Sequence, residues 1–219
     1  MTWLDGGLRI AIACVCFAAT VLVSAVAALA APDAPKNLIS NGNAEQGEGS
    51  ADGYAVVAEI PGWTRKGKFN VVSYGAPNGF PGSDVQTAVG GGSKFFAGGP
   101  ANAGSAVTQD VNVASKKGLI TAGKAKATLS GALGGYATQN DALVVTATFL
   151  SAAGDRLGVV KIGPVGAMER KTLTGMIPKS VTKPVPVQTR TVRVTLGASR
   201  TSGSYNDGYA DNLSLTIGR

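Results

Sequence analysis

The feature that most restricts the fold of this chain is a series of short segments in which apolar and polar residues alternate. Alternation with a period of two is the pattern of a β-strand that buries one face. One segment places four apolar residues at every second position: Leu143, Val145, Ala147 and Phe149. No window has a helical apolar face longer than two turns. The sequence therefore predicts an all-β protein.

Ten segments are predicted as strands: Asn37–Ser40, Lys68–Tyr74, Ser93–Ala97, Ala106–Val113, Lys124–Leu133, Ala142–Ser151, Arg156–Ile162, Lys171–Met176, Thr189–Leu196 and Asp211–Ile217. Glycine-rich turns separate them, which favours an antiparallel sandwich or barrel. Short helical turns are predicted at Ser115–Ala122 and Val165–Arg170. The segment Val181–Pro186 contains two prolines that cannot donate to a sheet, so we expect it at an edge or in a loop.

The first 30 residues are predicted to be a secretory signal peptide. An uncharged run from Ile10 to Ala31 contains the small residues Ala28 and Ala30, which favours cleavage before Ala31. Residues 31–36 then form a linker and residues 37–219 a single domain. We therefore expect a secreted, extracellular protein without membrane insertion after cleavage. The alternative is an uncleaved anchor, because the apolar run is long enough to span a bilayer.

Cysteine and histidine usage limits the chemistry. Both cysteines, Cys14 and Cys16, lie in the predicted leader, and the chain has no histidine. The predicted domain therefore has no disulfide and no Ser-His or Cys-His nucleophile pair. Any metal would be bound through oxygen atoms.

The net charge of +7 comes from cations that are scattered along the chain. No basic block is long enough to indicate a nucleic-acid-binding arm, so no nucleic-acid partner is expected. Solvated loops and strand faces are one explanation of the positive charge. Attraction to an acidic polymer or an anionic cell surface is the other, and that attraction would depend on salt.

Four motifs occur in a fixed order along the predicted domain: Asn37–Glu45, Pro61–Trp63, Gly104–Val111 and Tyr209–Leu215. Together they resemble the galactose-binding-like jelly rolls, which include the carbohydrate-binding modules found beside bacterial cellulases and xylanases. The resemblance implies an antiparallel jelly-roll β-sandwich of about 8–10 strands. It also implies that the first and last strands lie side by side.

The resemblance further implies a structural calcium ion, bound by Glu45 and Asp211 together with backbone carbonyls of the first loop and near Ser93. Carboxylate and carbonyl oxygens are the ligands that calcium prefers. Asn43 and Asp207 are possible additional ligands. The alternative is that Glu45 and Asp211 cap turns through hydrogen bonds.

Sugar binding uses aromatic faces beside polar groups, and a glycine-rich loop offers this combination in Tyr136, Gln139 and Asn140. Tyr205 lies in a similar loop, so these four residues are the predicted ligand-binding residues. Tyr74 and Phe80 occupy further loops of this kind.

Two other aromatic motifs are predicted to be structural. Trp63 is expected in the core. Phe95 and Phe96 are adjacent in a strand, so one ring should lie in the core and the other under a covering loop.

Three functions are compatible with the sequence. The first is a secreted, non-catalytic protein that binds a polysaccharide or a cell-surface glycan. The second is an extracellular structural or adhesive surface protein without a small-ligand site. The third is a glycoside hydrolase with two carboxylates. It is ranked last, because the sequence pattern does not place two acids across a cleft. In addition, Glu45 and Asp211 are assigned to the metal.

Overall fold

Ten strands form two antiparallel five-stranded sheets in a computed structural model that describes residues 1–2 and 36–219. In chain order the strands are β1 (Thr64–Lys66), β2 (Asn70–Ser73), β3 (Lys94–Pro100), β4 (Gly104–Asn112), β5 (Lys126–Gly135), β6 (Ala142–Leu150), β7 (Arg156–Ile162), β8 (Gly175–Pro184), β9 (Thr191–Ser199) and β10 (Tyr205–Gly218). Two short helices, α1 (Ser83–Val89) and α2 (Lys117–Thr121), lie outside the sheets. Residues 3–30 of the predicted signal peptide and residues 31–35 of the predicted linker lie outside the described residues.

The order of strands is β1-β4-β9-β6-β7 in the first sheet and β2-β3-β10-β5-β8 in the second. This arrangement is the predicted jelly-roll sandwich. Strand β8 lies at an edge of the second sheet, as its prolines Pro178 and Pro184 require.

The main core lies between the sheets and is built from alternate residues of the strands. Leu129, Leu143, Leu196 and Leu215 are almost completely buried there. Trp63 belongs to the same core, with its ring edge against Phe96, which confirms its predicted structural role.

A second apolar cluster covers the outer face of the second sheet. Phe96 points into the main core, whereas Phe95 points outward and contacts Tyr74 and Tyr209. The connection between β2 and β3, which contains α1, covers this face with Phe80 and other apolar side chains. The prediction that the two adjacent rings lie on opposite faces, with a loop over the second one, is therefore confirmed.

Several predicted elements differ from the structure. Residues 37–40 form no strand and lead into a turn at Ser40, although Leu38 N donates to Leu215 O of β10 over 2.8 Å. The last strand, β10, begins at Tyr205 rather than at the predicted Asp211, and its pairing with β3 is irregular between Asn206 and Tyr209. Strand β8 begins only at Gly175, after turns.

Helix α1 was not predicted because its seven residues are fewer than a periodic pattern needs. It ends at Gly90, whose left-handed conformation lets its N–H bond the last carbonyl groups. None of the helices in residues 36–219 combines the length and apolar character that a membrane crossing requires.

Candidate functional site

Four loops line a pocket of about 220 Å³ at one end of the second sheet, hereafter the loop pocket. Its walls come from the loop that precedes β1, from the covering connection, from the loop between β5 and β6, and from the loop between β9 and β10 with the start of β10. The lining residues are Tyr54, Asn78, Phe80, Tyr136, Gln139, Gly203, Ser204, Tyr205 and Asp207. The structure thus brings together three of the four predicted ligand-binding residues.

Asn140 is the fourth predicted residue, and it does not line the pocket. Its side-chain oxygen accepts a hydrogen bond from Ala167 N over 3.0 Å. Asn140 therefore connects its own loop to the turn that precedes β8, and its contribution in this structure is to loop position.

An aromatic cluster forms one side of the loop pocket. Tyr205 is 4% exposed, donates its hydroxyl hydrogen to Gly53 O over 3.0 Å, and packs edge-on against Phe80 and Tyr54. Tyr54 is 47% exposed, so it presents apolar ring surface at the mouth of the pocket. Tyr205 therefore acts mainly as support for the more exposed ring of Tyr54.

Polar groups form the other side. Asp207 is 7% exposed and accepts a hydrogen bond from the Tyr209 hydroxyl on Oδ1, while the described residues give its Oδ2 no hydrogen-bond donor. Burial raises the pKa of Asp207 to about 6, and repulsion from Asp141 adds to this; the Tyr209 hydrogen bond and Arg170 lower it. At neutral pH the pocket therefore holds a desolvated carboxylate.

Gln139 contributes a second polar group. Its side-chain oxygen Oε1 is buried and has no hydrogen-bond partner among residues 36–219. A buried acceptor without a partner is unfavourable by about 1–3 kcal/mol. A ligand with a hydrogen-bond donor would remove this penalty.

Asp141 anchors the β10 side of the pocket. This carboxylate is completely buried and accepts four hydrogen bonds: from Thr201 N (2.6 Å), Thr201 Oγ1 (2.9 Å), Ser202 N (3.1 Å) and Asp207 N (3.0 Å). The loop between β9 and β10 is thereby fixed to the start of β6.

Arg170 anchors the Tyr136 side. Its guanidinium donates to Ala137 O over 3.1 Å, to Gln139 O over 2.8 Å and to Leu173 O, and the residue is 5% exposed. It therefore holds the loop between β5 and β6 against the turn that precedes β8. Arg170 and Asn140 therefore both hold the wall that carries Tyr136 and Gln139.

The predicted metal-binding carboxylates lie elsewhere, beside the turn that follows α1. Glu45 Oε2 accepts a hydrogen bond from Ser93 Oγ over 2.6 Å, and its Oε1 accepts one from Lys94 N over 2.8 Å. The Lys94 ammonium donates to Glu45 O and to Gly47 O over 3.0 and 2.7 Å. Glu45 thus fixes the first loop to the start of β3.

Asp211 faces the same turn from β10. Its Oδ2 accepts a hydrogen bond from the Tyr74 hydroxyl over 2.8 Å, and its Oδ1 accepts one from Asn212 N over 2.6 Å. Burial raises the pKa of Asp211 to about 6, the two hydrogen bonds lower it, and repulsion from Glu45 raises it.

Two glycines allow both carboxylates to approach this turn. A Cβ atom at Gly91 would lie 2.7 Å from Asp211 Oδ2, and one at Gly92 would lie 2.5 Å from Glu45. No cluster of three or more acidic, histidine or cysteine side chains occurs in residues 36–219. The donor set therefore fits calcium only if backbone carbonyls complete the shell, since calcium takes about six to eight oxygen ligands.

Asp207 was a possible calcium ligand, but the structure places it in the loop pocket. Asn43 is exposed and only weakly bonded to Glu45 N, at 3.5 Å. Glu45 and Asp211 remain as the carboxylate pair.

The fold is a jelly-roll sandwich, the architecture that solved carbohydrate-binding modules also have. A solved family 16 carbohydrate-binding module has a TM-score of 0.50 to this chain, with 19% identity over 82% of this chain and 99% of that module. The module TmCBM61, solved with β-1,4-galactotriose, has a TM-score of 0.49 and 12% identity, covering 84% of this chain and 99% of that chain.

The enzymatically active domain of tailspike protein 4 of bacteriophage CBA120 has a TM-score of 0.46 and 14% identity. The match covers 83% of this chain but only 21% of the tailspike chain. These similarities concern the fold. No family model matches the sequence, and no curated protein sequence matches it.

Sequence reasoning missed Tyr54 and Asp207 as lining residues of the loop pocket, and Arg170 as an anchor of the loop between β5 and β6. Their roles depend on loops that meet only in the folded protein. A charged residue in a turn gave no signal that it would be buried. The nearest indication of this pocket in the sequence was Asp141, which directly follows the predicted ligand-binding residues Gln139 and Asn140.

Proposed function

We propose that the protein is a secreted, non-catalytic carbohydrate-binding protein that binds a polysaccharide or a cell-surface glycan through the loop pocket. The observation that supports this most directly is the pocket itself. It combines the partly exposed ring of Tyr54 with two acceptors, Gln139 and Asp207, that lack protein donors on their free oxygens. Aromatic surface beside a few placed polar groups is the usual composition of a sugar site.

The absence of catalysis is supported by the state of the pocket carboxylates. Hydrolysis of a glycosidic bond ordinarily requires two carboxyl groups that face the same bond. Asp207 has a free oxygen, but both oxygens of Asp141 are occupied by hydrogen bonds from the protein. Asp207 is the one carboxylate among the lining residues of the loop pocket, which suits binding better than acid–base catalysis.

Export is supported by the apolar leader between Ile10 and Ala31. A structural calcium ion held by Glu45 and Asp211 is part of the same proposal. Its support is that Glu45 and Asp211 approach the same turn at Gly91 and Gly92, where a cation would offset the repulsion between the two carboxylates. The ion would connect the first loop to the last strand and stabilise the fold.

Retention on insoluble polysaccharides and binding to a glycan array test the proposal. Wild-type protein should bind at least one glycan saturably and be released by the free sugar. Tyr136→Ala should abolish retention, whereas Tyr136→Phe keeps the ring and should retain most of it. Failure to bind any glycan would refute the proposal. Association that disappears at high salt and ignores free sugars would favour an adhesive surface protein instead.

A further inference from the structure

We propose that the loop pocket holds one sugar residue at the end of a glycan chain, and that the free oxygen of Asp207 accepts hydrogen bonds from hydroxyl groups of that residue. This inference rests on the proposed function, because it specifies the ligand of the same site. It differs from binding along the middle of a polysaccharide chain, which needs an open groove.

The size of the pocket supports a single residue. Pockets that bury drug-sized ligands have volumes of roughly 300–1,000 Å³, whereas the loop pocket has about 220 Å³. On one side the Tyr136 ring lies directly against Gly79, where an added Cβ atom would lie 2.7 Å from ring atom Cε2. On another side Gly203 lies close to the Gln139 amide, which an added Cβ would approach to 3.3 Å. These contacts hold the loops that carry Tyr136 and Gln139 close to their neighbours beside the pocket.

The hydrogen-bonding groups support a ligand that is rich in donors. Asp207 is held in place because Tyr209 occupies its Oδ1, which leaves Oδ2 as an acceptor. Gln139 Oε1 is a second acceptor without a protein partner. Ionised carboxylates only accept hydrogen bonds, so the missing partners must be donors. Sugar hydroxyl groups supply several donors within the space of one ring, and hydrogen bonds to a charged acceptor are the stronger ones.

The rest of the pocket suits the apolar face of such a ring. Tyr54 contacts Tyr205 and Phe80 with ring-centre distances of 5.3 and 6.3 Å, yet nearly half of its surface remains exposed. Aromatic surface of this kind contacts sugar C–H groups favourably. One ring on one side and two acceptors on the other would fix the orientation of a terminal residue.

The test is titration calorimetry of the full chain with methyl β-glucoside, methyl β-galactoside and methyl β-xyloside, each compared with its β-1,4-linked trisaccharide. For the sugar that binds, we expect the methyl glycoside to bind within about threefold of the trisaccharide. Asp207→Asn keeps the size of the side chain and an acceptor for Tyr209. It should weaken binding at least about tenfold, since hydrogen bonds to charged groups contribute about 1.5–3 kcal/mol. The control variant, Asp155→Asn, changes an acid in the turn between β6 and β7 and should bind normally.

The outcomes separate this inference from the proposed function. Affinity that increases tenfold or more from the methyl glycoside to the trisaccharide would overturn single-residue recognition while leaving glycan binding intact. Wild-type affinity of Asp207→Asn for a glycan that the protein binds would overturn the role of the carboxylate. If none of these sugars, nor any glycan on an array, binds the wild-type protein, the proposed function fails and this inference fails with it. Binding capacity that increases when a polysaccharide is cut into shorter chains would support end recognition.

Discussion

Replacing Asp141 with alanine should destabilise the protein strongly, because one buried carboxylate satisfies four donors. The fully buried donor, Asp207 N, would lose its only acceptor at a cost of about 1–3 kcal/mol. The three part-buried donors of Thr201 and Ser202 would each lose about 0.5–1.5 kcal/mol. The expected loss in the free energy of unfolding is therefore about 3–6 kcal/mol. For a domain of this size, the melting midpoint should fall by on the order of 10 °C.

Asp141→Asn separates these contributions. Three of the four donors reach Oδ1, which asparagine can preserve, whereas the donor from Asp207 N reaches Oδ2. An amide nitrogen at the Oδ2 position would face another donor, so we expect a loss of about 1–3 kcal/mol. Asp155→Ala is the matched control at an exposed turn and should change stability by less than about 1 kcal/mol.

Urea unfolding gives the global effect of the Asp141 variants, and limited trypsin digestion gives the local one. Cleavage after Arg200 should become faster in Asp141→Ala, because the adjacent loop loses its anchor. A loss below about 1 kcal/mol without faster cleavage at Arg200 would refute the view that Asp141 holds this wall of the pocket.

Three further predictions concern the two sites. Calcium should raise the melting midpoint of the wild-type protein relative to a chelator, by an amount equivalent to about 2.7 kcal/mol when calcium is present at a hundred times its dissociation constant. Asp211→Asn should remove this response. An equal response in both proteins would place any ion elsewhere. In chelator, the native state holds the Asp211 proton more tightly than the unfolded state, because burial raises its pKa from 3.8 to about 6. The free energy of unfolding of the wild type, relative to that of Asp211→Asn, should therefore fall as the pH rises from about 4 to 6 and stay constant above that. Urea unfolding of both proteins at several pH values measures this difference. A difference that does not change with pH would contradict the burial argument. Gln139→Leu removes a buried acceptor that has no partner, so the free energy of unfolding should stay unchanged or rise by about 1 kcal/mol. Glycan retention should weaken. Lower stability with unchanged retention would show that the amide serves the fold instead.

The fold could be predicted from the sequence because its main determinant is local. Alternation in a segment such as Ala142–Leu150 specifies which side chains face the core, and the structure follows that pattern residue by residue. The adjacent rings of Phe95 and Phe96 likewise indicated two buried faces. Helix α1 could not be predicted, because a helix of seven residues that packs on one side leaves too short a pattern.

The candidate site could be predicted only in part, for a different physical reason. Tyr136, Gln139 and Tyr205 were found because glycine-rich loops with aromatic and amide residues have a recognisable composition. Asn140 has the same composition but faces the turn at Ala167. The direction of a loop side chain depends on which distant loop it meets, and that is set by the sheet topology rather than by neighbouring residues.

The contact between the first loop and the last strand has a mechanical consequence. Leu38 N donates to Leu215 O and Leu213 N donates to Gly42 O, so the two segments run in opposite directions. The Asn37 side chain extends this pairing by bonding Leu213 O and Leu215 N. A force that separates residue 36 from residue 219 would therefore load these hydrogen bonds one after another, beginning at Asn37, rather than all at once. Under tension the first loop should peel away at low force, while the rest of the sandwich still resists.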